Sequence, residues 1–175
     1  NKNINLLIIN NDDSQIKVSD YIISFLESQK VNHVFCVPGD ANLHLMDSVG
    51  RYEAIDYTCF HTERDAAFAA DAYSKLKGDC SVLITSSGAS GTNALTGLAN
   101  AWTDSSPLIV ISGQASSDQY CESGIRQLGN KSLNILDIVK PLTKYAVRVE
   151  NPMKLRSILE QAVFFAKEGR PGPVW

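Results

Sequence analysis

The feature that most constrains the fold of this chain is the alternation of short apolar segments with longer helical ones. Segments near 34–37, 55–60, 81–85 and 108–112 predict β-strands bounded by turn residues or helix starts. Short, mostly apolar strands are typical of parallel sheets that are covered on both faces. Regular alternation of strand and helix indicates a doubly wound arrangement. We therefore expect the α/β class: a doubly wound, mainly parallel sheet with helices on both faces, in three α/β/α layers.

Turn and periodicity signals predict the remaining elements. Helices are predicted from a cap at Ser19 onward and over 42–49, 63–76, 91–103, 134–139 and 153–167. Two further strands are expected, one over 144–149 and one beginning at 174–175. Residues 1–17 carry an Asn/Asp cluster that predicts a partly flexible lead-in. Residues 18–175 then form one domain, since this length suits a single hydrophobic core.

Charge and composition exclude several classes of protein. The chain has 16 Lys and Arg against 19 Asp and Glu, a net charge of -3, so it lacks the basic surface that binds nucleic acid or an anionic membrane. No apolar segment approaches the ~20 residues that cross a bilayer, so no membrane insertion is expected. The basic residues after the fourth strand are scattered and are expected to be solvated surface: Arg126, Lys131, Lys140 and Lys144.

The four cysteines, Cys36, Cys59, Cys80 and Cys121, form no Cys-x-x-Cys pair. This spacing argues against a zinc site, and no metal site is predicted in the chain. The first three lie in or beside strand-like segments, so we expect buried, reduced thiols. Reduced thiols are typical of cytoplasmic proteins, and the cytoplasm is the predicted location.

Ligands of parallel α/β sheets bind at the carboxyl ends of the strands, which directs attention to 38–40, 61–63, 86–93 and 113–114. Glu63 has two interpretations. It lies in the first turn of a helix that Thr62 can cap, where a carboxylate is favoured for stability alone. It also follows a strand, where a ligand can reach it. The loop 86–93 is rich in small residues and suits close backbone approach to a ligand, but it matches no P-loop, dinucleotide or nucleophile-elbow motif.

Five ordered segments together resemble a known family. They cover 34–43, with Pro38-Gly39-Asp40, then 61–73, 85–93, 107–114 and 169–174. In this order they resemble the N-terminal, pyrimidine-binding domain of thiamine-diphosphate enzymes, nearest to the acetolactate synthase and 2-oxo-acid decarboxylase group. The resemblance extends over about 18–175. Segments 123–129 and 138–145 are also similar to a branch associated with unusual sugar or cell-surface biosynthesis.

The resemblance implies roles for particular residues. Glu63 corresponds to the glutamate that shares a proton with N1′ of the aminopyrimidine, which favours the imino tautomer that removes the C2 proton of the thiazolium. Catalytic roles are implied for Glu63, Asp40 and Gln114. Cofactor binding is implied for Gly39, Glu63 and Asn93. The implied activity is decarboxylation of a 2-oxo acid, with pyruvate expected, and transfer of the resulting acyl-anion equivalent.

The chain departs from the family's pattern at two places. Asp40 stands where the acetolactate synthases have glycine, which is more like the decarboxylases, where an aspartate assists proton transfer. The family's Ser-Gly-Pro-Gly is Ser87-Gly88-Ala89-Ser90 here. The acceptor substrate and the choice between decarboxylation and carboligation stay open.

The resemblance also implies what surrounds the domain. The Mg²⁺ and diphosphate motif belongs to a later domain, FAD is left open, and active sites form between subunits of a dimer or tetramer. We therefore expect an excised domain that is inactive alone. Two alternatives remain: a non-catalytic dimerisation or regulatory module whose interface is the helix with Ala66, Ala69 and Ala70, and a nucleotide- or phosphosugar-binding domain that uses the loop 86–93.

Overall fold

A computed structural model describes residues 6–8, 15–119 and 125–175. The strands are β1 (Leu6–Ile8), β2 (Gln15–Lys17), β3 (His33–Cys36), β4 (Asp56–Cys59), β5 (Ser81–Thr85) and β6 (Leu108–Ser112). Four of them form a parallel sheet in the order β4-β3-β5-β6, while β1 and β2 pair separately as antiparallel strands. The β1–β2 pair lies inside the segment predicted as a lead-in, and the other residues of that segment lie outside the described ranges.

Helices cover both faces of the four-stranded sheet. They are α1 (Val18–Ser28), α2 (Leu43–Arg51), α3 (Glu63–Lys77), α4 (Ala89–Asn93), α5 (Leu95–Thr103), α6 (Ile135–Val139) and α7 (Leu155–Lys167). One apolar cluster joins the sheet to α1, α2 and α7, and a second joins it to α3, α5 and α6. The predicted three-layer α/β/α class is therefore confirmed.

Strand β5 shows why the middle of its segment, Val82-Leu83-Ile84, is continuously apolar. All five of its residues are buried. Val82 and Ile84 belong to the cluster on one face, and Leu83 belongs to the cluster on the other. Because successive side chains of a strand point to opposite faces, a strand covered on both sides needs an apolar residue at nearly every position.

The sheet continues past β6 by two isolated bridges. Val174 forms parallel bridges with Ile109 and with Tyr145, so the strand expected to begin at 174 does extend the sheet. The strand predicted over 144–149 is formed only in part. Tyr145 bridges Val174, and the Lys144 and Val147 N–H groups donate to the Pro173 and Trp175 carbonyls over 2.8 and 2.9 Å.

Two helix predictions need correction. Ser19 does not cap α1; it lies buried inside the helix, where the Ser48 hydroxyl donates a hydrogen bond to its oxygen over 2.8 Å. The helix predicted over 91–103 is two helices, α4 and α5, with Ala94 between them. Local periodicity does not reveal that a serine is buried against a distant residue. It also does not reveal a break between two adjacent helices.

The cysteine prediction holds for two of three described residues. Cys36 and Cys80 are buried free thiols, whereas Cys59 is free but exposed. The difference arises because β4, which carries Cys59, is the edge strand of the sheet and all four of its residues are exposed. Cys121 lies outside the described residues.

Helix α3 packs closely against α5 within the same chain. Gly97 permits the contact, because a Cβ there would lie 2.5 Å from the Cβ of Ala67. Ala66 and Ala70 are also fully buried in the core beneath α3. The small residues of α3 therefore serve packing inside the domain. In the described ranges no helix is long and apolar enough to cross a membrane.

Candidate active site

Loops at the carboxyl ends of three neighbouring strands surround an open cleft of about 640 Å³. β4 leads into α3 at Glu63, β3 leads into a short 3-10 turn at Asp40, and β5 leads into α4. The cleft is lined by these loops and by one lysine from a later loop: Pro38, Gly39, Asp40, Glu63, Ser86, Ser87, Ala89, Ser90, Asn93 and Lys131. The cleft lies at the edge of the sheet where strand-end reasoning predicts a ligand.

Glu63 is half-buried at the start of α3, and its carboxylate is held from both sides. Thr62 caps the helix by accepting the Asp65 N–H over 3.2 Å, as the sequence predicts. The Ser90 hydroxyl donates to Oε1 of Glu63 over 2.5 Å, and the Asn93 amide donates to Oε2 over 2.7 Å. Both donors are neutral.

Ser90 is itself fixed by the loop that follows β5. Its Oγ accepts the backbone N–H of Ser86 over 3.0 Å while it donates to Glu63. The next residue, Gly91, packs so closely that a Cβ there would lie 3.1 Å from Ile135 and 3.3 Å from Trp175. Helix α4 therefore rests on a packed wall, and Ser90 links the β5 loop to the start of α3.

Asp40 occupies the opposite side of the cleft and is exposed. Its Oδ1 accepts hydrogen bonds from the Ser86 hydroxyl over 3.1 Å and from the Ala41 N–H over 2.9 Å. These two bonds, with the positive charge of Lys131, hold the pKa of the Asp40 carboxyl below its ordinary value. At neutral pH this group is thus an ionised carboxylate.

Gly39 allows the β3 and β5 loops to meet. A Cβ at this position would lie 2.5 Å from the Cβ of Ser86, so any side chain would push the two loops apart. Asn42 braces the same turn, since its Oδ1 accepts the Gly39 N–H over 2.8 Å and its Nδ2 donates to the Val37 carbonyl over 2.9 Å. Asn42 is almost fully buried.

Gln114 lies apart from the other predicted site residues. Its Nε2 donates to the Leu133 carbonyl over 2.8 Å, and its Oε1 accepts the Ala115 N–H over 2.8 Å. It lines a second, larger cavity of about 880 Å³ between α7 and the sheet, and it is absent from the lining of the Glu63 cleft. Its neighbour Gly113 does approach the cleft loops, because a Cβ there would lie 2.4 Å from the Ala41 oxygen.

The structure adds four residues that sequence reasoning did not assign to the site: Asn42, Ser86, Ser90 and Lys131. Lys131 was predicted to be ordinary solvated surface; it is exposed, but it lines the cleft near Asp40. Two features of the sequence are consistent with a role for the serines. They are small polar residues, and they lie in the loop that follows a strand. Within the described ranges, no group of three or more His, Cys, Asp or Glu side chains is arranged to hold a metal ion.

The chain is a doubly wound α/β domain with a cleft at the carboxyl ends of its strands, and Glu63, at the start of α3, lines that cleft. The family model described as thiamine pyrophosphate enzyme, N-terminal TPP binding domain, matches residues 16–133. The chain therefore belongs to this family of thiamine-diphosphate-binding domains.

The curated relatives are acetolactate synthases. The chain is 33% identical over 159 residues to the acetolactate synthase large subunit of Lactococcus lactis, which covers 89% of this chain and 26% of that protein. It is 35% identical over 156 residues to an acetolactate synthase of Arthrospira platensis, with 87% and 26% covered. It is 32% identical over 165 residues to the chloroplastic acetolactate synthase of Arabidopsis thaliana, with 93% and 23% covered. The chain thus spans about a quarter of the length of these relatives.

Proposed function

We propose that this domain binds the aminopyrimidine of thiamine diphosphate in the Glu63 cleft, as part of an acetolactate synthase-like enzyme. That enzyme decarboxylates a 2-oxo acid, with pyruvate the expected substrate, and transfers the acyl-anion equivalent to an acceptor. The observation that carries the proposal is the Glu63 carboxylate, which faces a strand-end cleft and is held there by two neutral donors, Ser90 and Asn93.

The residues of the cleft fit the cofactor. Among the described residues, no Lys or Arg side chain forms an ion pair with Glu63, so its negative charge is available for the proton of a ring nitrogen. A volume of about 640 Å³ accommodates an aminopyrimidine ring, since ligand pockets span roughly 300–1,000 Å³. Gly39 lets the β3 and β5 loops that line the cleft meet without a steric clash.

When bound, thiamine diphosphate supplies the carbon acid and electron sink for decarboxylation of a 2-oxo acid. Glu63 holds or releases a proton at N1′ of the pyrimidine, through the lone pairs that Ser90 and Asn93 leave free. Glutamine at this position would keep the shape of the side chain and lose the exchangeable proton. Asp40, ionised at neutral pH, serves as a proton acceptor on the substrate side of the cleft. Gln114 lies after β6, outside the lining of this cleft, so any catalytic role for it would require a contact with the substrate or the cofactor.

The complete enzyme supplies parts that lie beyond this chain. We expect Mg²⁺ to be bound with the diphosphate by a later domain, FAD binding to be decided by later domains, and the cytoplasm to be the location. The active site then forms between subunits of a dimer or tetramer. An exposed apolar stripe on α3 suits such self-association: Phe68 is partly exposed and Leu76 is 89% exposed.

One alternative is disfavoured by the charges around the β5 loop. A phosphate at this loop would face the Asp40 and Glu63 carboxylates, which already accept hydrogen bonds from its serine hydroxyls. Lys131 is the single basic residue among the ten that line the cleft. The loop therefore suits a ring with a proton to share better than a nucleotide or phosphosugar.

The test is NMR-detected C2–H/D exchange of thiamine diphosphate bound to the complete natural polypeptide, with wild type beside Glu63→Gln. The measurement needs no knowledge of the substrate. Because proton transfer by a positioned side chain contributes at least about 100-fold, we expect exchange to slow by at least that factor in Glu63→Gln.

The matched control is Asp65→Asn, which removes a carboxylate from the same helical turn outside the cleft lining. We expect exchange in this variant to remain at the wild-type rate. Equal exchange rates in wild type and Glu63→Gln, with the cofactor bound to both, would exclude the assigned role. Failure of the wild-type polypeptide to bind thiamine diphosphate would favour the non-catalytic module.

A further inference from the structure

We propose that Ser90 is a positioning residue that fixes the ionised Glu63 carboxylate in one orientation before the cofactor binds. This inference rests on the proposed function of Glu63 and extends it to a residue of the β5 loop. Ser90 acts through Glu63, so its effect is on the orientation of that carboxylate.

The hydrogen-bonding pattern of Ser90 fixes the direction of its single proton. A serine hydroxyl has one O–H donor and two acceptor lone pairs. The Ser86 N–H can only donate, so it occupies a lone pair of Ser90 at 3.0 Å. The hydroxyl proton is thereby free to point at Oε1 of Glu63, where the distance of 2.5 Å is that of a charge-assisted O–H···O⁻ bond.

The support beneath Ser90 is closely packed, which limits movement of the hydroxyl. At the adjoining Gly91, an added Cβ would lie 3.1 Å from Ile135 and 3.3 Å from Trp175. The Trp175 indole is itself held, because its Nε1 donates to the Ser112 hydroxyl over 2.8 Å. A serine also has a short side chain, so little rotamer entropy is lost when it is held in this position.

The consequence for Glu63 is a carboxylate with one donor on each oxygen. Ser90 holds Oε1 and Asn93 holds Oε2, so the plane of the group is set from two different positions on α4. Loss of the Ser90 hydroxyl therefore releases Oε1 and leaves Asn93 as the remaining donor to the carboxylate.

The first experiment reads Glu63 directly and does not use turnover. The complete natural polypeptide, labelled with ¹³C at the glutamate carboxyl carbons and free of cofactor, is titrated by NMR, with the Glu63 signal assigned by its loss in Glu63→Gln. In Ser90→Ala we expect the titration midpoint of the Glu63 signal to differ from that of wild type, because one of the two donors to the carboxylate is lost. In Ser90→Thr, which keeps the hydroxyl, the midpoint should return to the wild-type value.

The control variant is Thr92→Ala, which removes a hydroxyl from the same helix. Thr92 donates to the Ala89 carbonyl and does not line the cleft, so the Glu63 signal should titrate as in wild type. A Glu63 midpoint that is unchanged in Ser90→Ala would overturn the proposal. Equal midpoints in Ser90→Thr and Ser90→Ala, both different from that of wild type, would do so as well, because the hydroxyl would then be irrelevant.

The second experiment separates failure of this inference from failure of the proposed function. The pH profile of C2–H/D exchange is measured on the complete polypeptide with thiamine diphosphate bound. We expect the Ser90→Ala profile to differ from that of wild type, with exchange about three- to tenfold slower at neutral pH. If Glu63→Gln exchanges as fast as wild type, the proposed function fails whatever Ser90 does. If Glu63→Gln is slow but Ser90→Ala keeps the wild-type profile, the Ser90 inference alone fails.

Discussion

Helix α3 carries two carboxylates that are shielded from solvent. Glu63 lies at its start and Asp71 lies about two turns further along, and their surroundings differ. Glu63 at the start is half-buried and accepts hydrogen bonds from Ser90 and Asn93, both neutral. The Asp71 side chain is 3% exposed and accepts from the Lys75 ammonium over 2.7 Å and from the Asn100 amide over 2.7 Å.

The difference separates a structural carboxylate from a functional one. Burying a charge costs free energy unless an opposite charge and hydrogen bonds compensate it. Asp71 has both at Oδ2, although its buried Oδ1 has no hydrogen-bond partner among the described residues. Glu63 has hydrogen bonds but no ion pair within the described part of the chain, so its charge is held in place and left available to a ligand. Helix α3 thus carries Asp71, an ion-paired carboxylate that anchors the helix in the core, and Glu63, a carboxylate that faces the cleft.

The largest expected effects come from removing each carboxylate in turn. Asp71→Ala should lower the free energy of unfolding by about 1–3 kcal/mol, because it removes two charge-assisted hydrogen bonds from the core, although Lys75 and Asn100 both keep Asp104 as an acceptor. Glu63→Ala should change it by less than about 1 kcal/mol, because Ser90 and Asn93 can hydrate from the cleft. Urea unfolding of the two variants measures both values.

C2–H/D exchange provides the complementary measurement for the same pair. Asp71→Ala should retain exchange of bound thiamine diphosphate near the wild-type rate, whereas Glu63→Ala should lose it. An Asp71→Ala variant with the wild-type free energy of unfolding would contradict the structural role of Asp71. A Glu63→Ala variant destabilised as strongly as Asp71→Ala would contradict the assignment of Glu63 to function alone.

A second prediction concerns the packing that holds the middle of α3. Gly97→Ala would place a Cβ 2.5 Å from the Cβ of Ala67 and 2.9 Å from the Phe68 backbone nitrogen, so α3 and α5 must move apart. We expect a loss of about 2 kcal/mol in unfolding free energy, typical of an overpacked core. The matched control is Gly50→Ala, at a helical glycine with nothing within 4 Å of an added Cβ, which should not be destabilising.

Elements defined by local chemistry were well predicted from the sequence. β5 and β6 have the predicted bounds, and α3 begins at Glu63 as the Thr62 cap indicates. Gly78, in the left-handed conformation, follows the last residue of α3, which ends one residue beyond the predicted bound of 76. These features depend on residues a few positions apart, so periodicity and capping carry the information.

The partners in the site were less accessible to sequence reasoning. The strand-end rule indicated Glu63 and the loop 86–93 separately, but the bond between Glu63 and Ser90 spans 27 positions of sequence. It depends on how α4 rests on Ile135 and Trp175, which no local pattern reveals. Lys131 is similar: its place in the cleft follows from a loop that packs its backbone against Gly88.

A smaller effect is expected from the cap that sets the start of α3. Thr62→Ala removes the acceptor for the Asp65 N–H and should cost about 1 kcal/mol of unfolding free energy. Because the first turn carries Glu63, fraying there should also slow C2–H/D exchange, while the Asp71 anchor stays intact. Thr62→Ser keeps the oxygen and is the control. A Thr62→Ala variant with wild-type stability would show that tertiary contacts alone fix the helix start.

The smallest effect is a pH dependence at the anchored end of α3. The hydrogen bond from Lys75 lowers the pKa of Asp104 below its ordinary value, and the hydrogen bond to Asp104, followed by that to Asp71, raises the pKa of Lys75. A lowered carboxyl pKa contributes stability above the ordinary value of 3.8, which is lost as pH falls through the lower folded value. A raised lysine pKa contributes stability below 10.5, which is lost as pH rises through the higher folded value.

The difference in urea midpoint between wild type and Asp104→Asn should therefore be constant between about pH 5 and pH 9. It should become smaller below and above this range. It should also weaken in high salt, since Asp104 and Lys75 are both substantially exposed. Glu63→Gln, measured in the same way, should show no alkaline loss, because no lysine pairs with Glu63 in the described part of the chain. An alkaline loss at Glu63 equal to that at Asp104 would mean that the cleft carboxylate is neutralised after all, and the contrast between the two ends of α3 would disappear.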